Sequence, residues 1–128
     1  MTAPAYVAGR HLIESYGAGG FRFAGMSHVG SILATPRGIG AVAATAIGEV
    51  DEATLAPLFA ELAAAPGSIE FVVVGTGARL ARPPEALAER LRAAGLRFET
   101  MATGPALRVY NVTIDEGRRV AALLIAAP

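Results

Sequence analysis

The chain contains no cysteine, which excludes disulfide staples, thiol catalysis and thiolate-bound metal. It carries no excess of charge either: eleven basic and eleven acidic residues cancel, at a pI near 6.7. Nucleic acid and anionic membrane surfaces are bound through net positive charge, so neither is indicated as a partner. No apolar run reaches the roughly 18 residues needed to cross a bilayer, and the chain is not expected to span a membrane. The opening, MTAPAYVAGR, lacks the basic start and apolar core of a signal peptide and the Arg-rich pattern of a transit peptide. A cytoplasmic location is therefore the expectation.

Chemical signatures are equally sparse. His11 and His28 are isolated, with no second ligand at metal-binding spacing. Ser31 falls within a predicted strand and lacks the glycine–serine–glycine elbow of a hydrolase. The glycines of GAGG (17–20) join two strands and open no helix, so they read as a hairpin turn and not as a dinucleotide loop. No carboxylates stand at matched positions for acid–base work. No metal and no cofactor are expected.

What is present is a globular composition, 53% hydrophobic and 17% charged over 128 residues, enough for one core. Residues 10–126 are expected to form a single domain, with 1–9 a mobile lead-in. From 10 to 48 glycine recurs every few positions between short runs such as LIESY, FRF and HVGSILAT. Phe21 and Phe23 alternate with Arg22, as a strand with one buried face requires. TPRG (35–38) places Pro and Gly for a turn between two strands. This half reads as a β-meander.

The period then changes. Leu55, Leu58, Phe59 and Leu62 form one helical stripe, with Thr54 the expected N-cap. IEFVVVG (69–75) is apolar on both faces apart from Glu70, as a strand covered on both sides would be. Pro83 and Pro84 open a second helix that Gly95 ends, and LRFETM supplies another strand. A third helix is expected from Gly104 to Glu116, capped by Thr103 and stopped by a left-handed Gly117. RRVAALLIAA then gives a last buried strand. The alternation is that of an α/β layer, with the strands at 69–74 and 97–101 parallel through a right-handed crossover.

Two segments attract a functional reading. In YNVTIDEGRRV (110–120), polar and charged residues crowd into an otherwise aliphatic chain. On a helical wheel Ala106, Leu107, Tyr110 and Ile114 share one half, and Arg108, Asn111, Asp115 and Glu116 the other. An amphipathic helix with a solvated face accounts for that pattern. The alternative starts from Gly75, Thr76 and Gly77, which follow the doubly buried strand where open α/β sheets place their ligands. Their backbone amides, the Thr103 hydroxyl and the start of the third helix could share one crevice, with Arg108 as a fixed positive charge and Tyr110 or Asn111 lining it. Such a crevice would suit a small anion.

The order VVVGTG, PPEALAERLRAAGLRFETM and the tail resembles domain-of-unknown-function family 498, from about Tyr6 to Ile125. That family includes mitochondrial respiratory complex I assembly factor 3 and an adipogenesis-associated protein. Met101, Thr103, Ala106, Arg108, Tyr110, Asn111, Glu116, Gly117 and Arg118 match the family's tail pattern. Ala102 replaces its usual aspartate, Pro105 an alanine, Leu107 a cysteine and Val109 a threonine. The resemblance implies a three-layer α/β domain with a β-meander packed beside a mixed central sheet and covering helices. It also implies a last strand running against the others, which would bring Arg118 to the same end as the GTG turn. Functionally it implies a non-enzymatic interaction factor that acts through protein partners. The expected partner is a respiratory NADH–quinone oxidoreductase or a related membrane complex, met in the cytoplasm near the inner membrane. A small-anion binder or enzyme is the second expectation, its site drawn from Gly75, Thr76, Gly77, Thr103, Arg108, Tyr110, Asn111 and Arg118.

Overall fold

The computed structural model describes all of residues 1–128. Its strands are β1 (Tyr6–Ala8), β2 (Ile13–Gly17), β3 (Gly20–Phe23), β4 (Met26–Val29), β5 (Ser31–Thr35), β6 (Gly38–Val42), β7 (Phe71–Gly75), β8 (Arg97–Met101) and β9 (Val120–Leu124). The helices are α1 (Ala56–Ala64), α2 (Glu85–Ala93) and α3 (Thr103–Asp115).

Six strands form a central sheet in the order β1-β6-β5-β9-β7-β8, and β2-β3-β4 form a second, smaller one. In β7 and β9 nearly every residue is apolar, so both strands can be covered on both faces. Val72, Val74, Leu123 and Ile125 face one side with Leu55 and Leu58 of the α1 segment and Leu87 and Leu91 of α2. Val73, Val120, Ala122 and Leu124 face the other with Ala106, Leu107 and Tyr110 of α3 and Phe21 and Phe23 of β3. The three layers are thus α1 and α2, the central sheet, and α3 flanked by the small sheet.

β7 pairs in parallel with both β8 and β9. The chain steps outward from β7 to β8 through α2, then back across to β9 through α3. Two right-handed crossovers in opposite directions must lie on opposite faces, which is why α2 and α3 do. This corrects the expectation that the last strand opposes its neighbours. β9 is parallel to β7, and the sheet is mixed because β5 joins β9 antiparallel, with Ile32 opposite Leu124 and Ala34 opposite Ala122.

Three helix boundaries turn on single residues. Gly117 stands at φ +74°; its N–H reaches the Ile114 carbonyl at 2.8 Å, and the Arg118 N–H reaches that of Thr113 at 3.1 Å. That is the left-handed stop expected from the sequence. Ahead of α1, in contrast, Asp51 precedes a 3-10 turn (Ala53–Leu55) whose cap position is held by Glu52 without a side-chain bond. The Asp51 carboxylate accepts from the Thr54 N–H and hydroxyl, each at 3.0 Å. Thr54, the expected cap, answers by accepting from the Asp51 N–H at 3.2 Å. At α3, Thr103 is the first helical residue, and Ala102 holds the cap position without a side-chain bond.

Two hairpins of the small sheet turn through Ala18–Gly19 and Ala24–Gly25, all four at positive φ. Such turns match the twist of antiparallel strands. Beyond β4, Thr2 bridges Ser27, and the Ala3 N–H donates to the Ser27 carbonyl at 2.7 Å. No helix is long and apolar enough to cross a membrane.

Candidate functional site

α3 starts where β8 ends and runs back over β7 and β9. Its first turn settles onto the strand ends because Gly75 has no side chain. A Cβ there would lie 2.9 Å from Leu124 Cδ2, 3.0 Å from Thr103 Oγ1 and 3.1 Å from Ala106 Cβ. Gly75, Thr76, Gly77 and Thr103 therefore converge at the carboxyl end of β7. The glycine at 75 serves close helix–strand packing.

The polar groups of this convergence bond to one another or to the backbone of the adjoining segments. The Thr103 hydroxyl donates to the Ile125 carbonyl at 2.7 Å and accepts from the Gly77 N–H at 2.9 Å. The Thr103 N–H donates to the Gly77 carbonyl at 2.8 Å, and the Ile125 N–H to that of Gly75 at 2.9 Å. Thr76 donates its N–H to the Met101 carbonyl at 2.9 Å and its hydroxyl to Arg79 at 2.6 Å, and it accepts from the Ala81 N–H at 3.0 Å. At the start of α3, Pro105 has no N–H, and that of Ala106 closes onto Ala102 at 3.0 Å. Gly104 supplies the remaining one, and the Tyr16 ring rests against that residue. Thr103, wholly buried, ties the exits of β7 and β9 to α3. Burial without partners would cost about 1–3 kcal/mol per group, so this network holds the end of the sheet together.

The other expected site residues go elsewhere. Arg108 is exposed, with no ion-pair partner. Tyr110 is buried in the core beneath β2, its hydroxyl 3.4 Å from the His11 carbonyl. Burial pushes the phenol above its ordinary range, and Arg10 offsets this only in part. Asn111 leaves the solvated face assigned to it. Its amide accepts from the Ile13 N–H and donates to the Ile13 carbonyl, both at 2.9 Å. In effect the side chain adds one rung beside the irregular start of β2.

Arg118 stands at the opposite pole from the GTG turn, a correction that follows from the parallel course of β9. Its Nε lies 3.1 Å from Glu70 Oε1, and Arg119 Nη2 lies 2.8 Å from Glu70 Oε2. With the Glu70 N–H donating to the Arg119 carbonyl at 2.8 Å, these contacts fix β9 in register with β7. The two guanidiniums hold the Glu70 carboxyl below its ordinary range, Arg119 contributing most. The crowded stretch from Tyr110 to Val120 is thus a set of structural devices along one helix and its exit.

One buried carboxylate escaped the sequence reading. Glu61 of α1 is 5% exposed, and Oε1 accepts from the Thr35 hydroxyl at 2.9 Å while Oε2 bonds to no protein group. Its position three residues beyond Leu58 places it on the apolar stripe, which is the signal that could have found it.

Comparison with known proteins follows the same outline. A family model described as a protein of unknown function (DUF498/DUF598) matches residues 13–125. The chain belongs to this family. An uncharacterized protein of Rhodobacter capsulatus is 39% identical over 121 residues, covering 94% of this chain and 89% of that one. A crystal structure described as an outer membrane protein of Bartonella henselae is 41% identical, with a TM-score of 0.86 over 94% of this chain and 98% of that one. An NMR structure from Rhodopseudomonas palustris is 44% identical, with a TM-score of 0.75 over 91% of this chain and 83% of that one.

Proposed function

We propose that this member of the DUF498 family is a non-enzymatic interaction factor that assists assembly of a respiratory NADH–quinone oxidoreductase or a related membrane complex, at the cytoplasmic side of the inner membrane. The observation that carries this reading is where polar and apolar groups lie. At the turn expected to hold a ligand, Gly77 and Thr103 bond to each other, and Thr76 bonds to the backbone of Arg79, Ala81 and Met101. On the outer face of the small sheet, Val29 remains 83% exposed beside a depression of about 510 Å³ that also includes Ser15, Arg22 and Ser27. An exposed aliphatic side chain rimmed by polar ones suits a protein contact. The resemblance to complex I assembly factors supplies the kind of partner. Affinity purification from membranes and cytosol, with Val29→Asp as the control, tests this. The expected result is a respiratory subunit retained by the parent chain and lost by the variant; unchanged oxidoreductase assembly after gene deletion, with no co-purifying partner, overturns it.

A second reading, binding of a small anion, draws its support from Arg108, one turn into α3 and without an acidic partner. Phosphate or sulfate at millimolar concentration would then raise the melting temperature of the parent chain and leave that of Arg108→Ala unchanged. Absence of any such rise in the parent chain removes this reading.

A further inference from the structure

β8 is the outermost strand of the central sheet and pairs only with β7. Its Met101 carbonyl accepts from the Thr76 N–H on the β7 side. Backbone groups alternate sides along a strand, so the N–H and carbonyl of Phe98 and Thr100 point outward, away from the sheet. Natural edges of this kind are covered, broken or charged, because an open row of donors and acceptors recruits another strand.

The charges on this edge follow a pattern. Arg97 and Glu99 are exposed on one face of β8, and neither makes an ion pair or side-chain hydrogen bond within the chain. Beside them lies a depression of about 580 Å³ bounded by Glu70, Phe71, Phe98 and Arg118. When a second β8 is laid antiparallel with Phe98 opposite Phe98, each Arg97 stands opposite a Glu99 of the other copy. The outward N–H and carbonyl of the two Phe98 residues then meet as a hydrogen-bonded pair. Centring the pair on Glu99 would instead set like charges face to face. Opposite charges directly across a strand pair stabilise it, and like charges do the reverse.

We propose that β8 is the seam of a two-fold homodimer, joined antiparallel about Phe98 into a continuous twelve-stranded sheet. The occupant of the edge is a second copy of this chain, selected by the reciprocal Arg97–Glu99 match. The inference does not depend on the assembly-factor reading.

Sedimentation at protein concentrations up to about 1 mM is the test, since a seam of one strand pair is a small interface. The parent chain is expected to show a concentration-dependent dimer. Arg97→Glu and Glu99→Arg are each expected to weaken it at least about tenfold, because either reversal opposes like charges twice. Mixed in equal amounts, the two variants are complementary and should form a heterodimer, which also shows that both are folded. A parent chain monomeric throughout, reversals that leave its dimer unchanged, or a mixture that fails to associate would overturn the proposal.

Discussion

The Tyr16 hydroxyl occupies the space that a Cβ on Gly104 would need. An edge strand of the small sheet and the first turn of α3 are thereby interlocked through the absence of one methyl group. Gly104→Ala alone is expected to destabilise by up to about 1 kcal/mol, because the half-exposed ring must move. In a Tyr16→Ala background the same change should be neutral or favourable by up to about 1 kcal/mol, since alanine suits a helix better than glycine. Urea denaturation of the four chains measures this reversal as a coupling energy. Equal effects of Gly104→Ala in both backgrounds would contradict the contact.

Thr103 joins three segments through one hydroxyl. Thr103→Val keeps the shape and leaves the Gly77 N–H and the Ile125 carbonyl without that partner. A loss of about 3 kcal/mol is expected, with Thr103→Ser retaining most of the stability. Hydrogen exchange at Gly77 should accelerate in the valine variant.

Asn111 can be probed by exchanging its donor for an acceptor. Asn111→Asp retains the bond from the Ile13 N–H and turns a carboxylate oxygen toward the Ile13 carbonyl. Near neutral pH this variant should be less stable than Asn111→Ala, itself down by about 2 kcal/mol. As pH falls and the aspartate gains a proton it can donate again, so the deficit relative to the parent chain should narrow. Denaturation of both variants at neutral and acidic pH checks the crossing.

What the residues reveal unaided is decided by how local the cause is. The strands at 71–75 and 120–124 are legible because burial on both faces leaves a continuous apolar run. Gly117 is legible because a helix stop depends on its own backbone. Asn111 reads as solvated on a helical wheel, yet its partner lies 98 residues away, and no wheel contains that information. Thr103 illustrates the same limit. Its residue type fits a cap, but the nearby exits of two strands claim the hydroxyl. The direction of β9 follows from the strand–helix–strand alternation, because one covering helix brings the chain back to start a parallel strand. The end of the sheet where Arg118 lies follows from that direction.

Glu70 gives the fold a pH dependence of known sign. Hydrogen bonds from Arg119 and Arg118 lower its pKa from the ordinary 4.5, so the folded chain favours the ionised form more than the unfolded chain does. Its contribution is therefore complete above that ordinary value and is lost as pH falls through the lowered one. Thermal melts from about pH 7 to about pH 3 should show the parent chain losing more stability than Glu70→Gln, with the gap between them closing in acid. The gap should also shrink at high salt near neutrality, because all three side chains remain partly in water. A gap that widened in acid would mean that the carboxyl is held neutral in the folded chain, against the geometry of its two guanidinium partners.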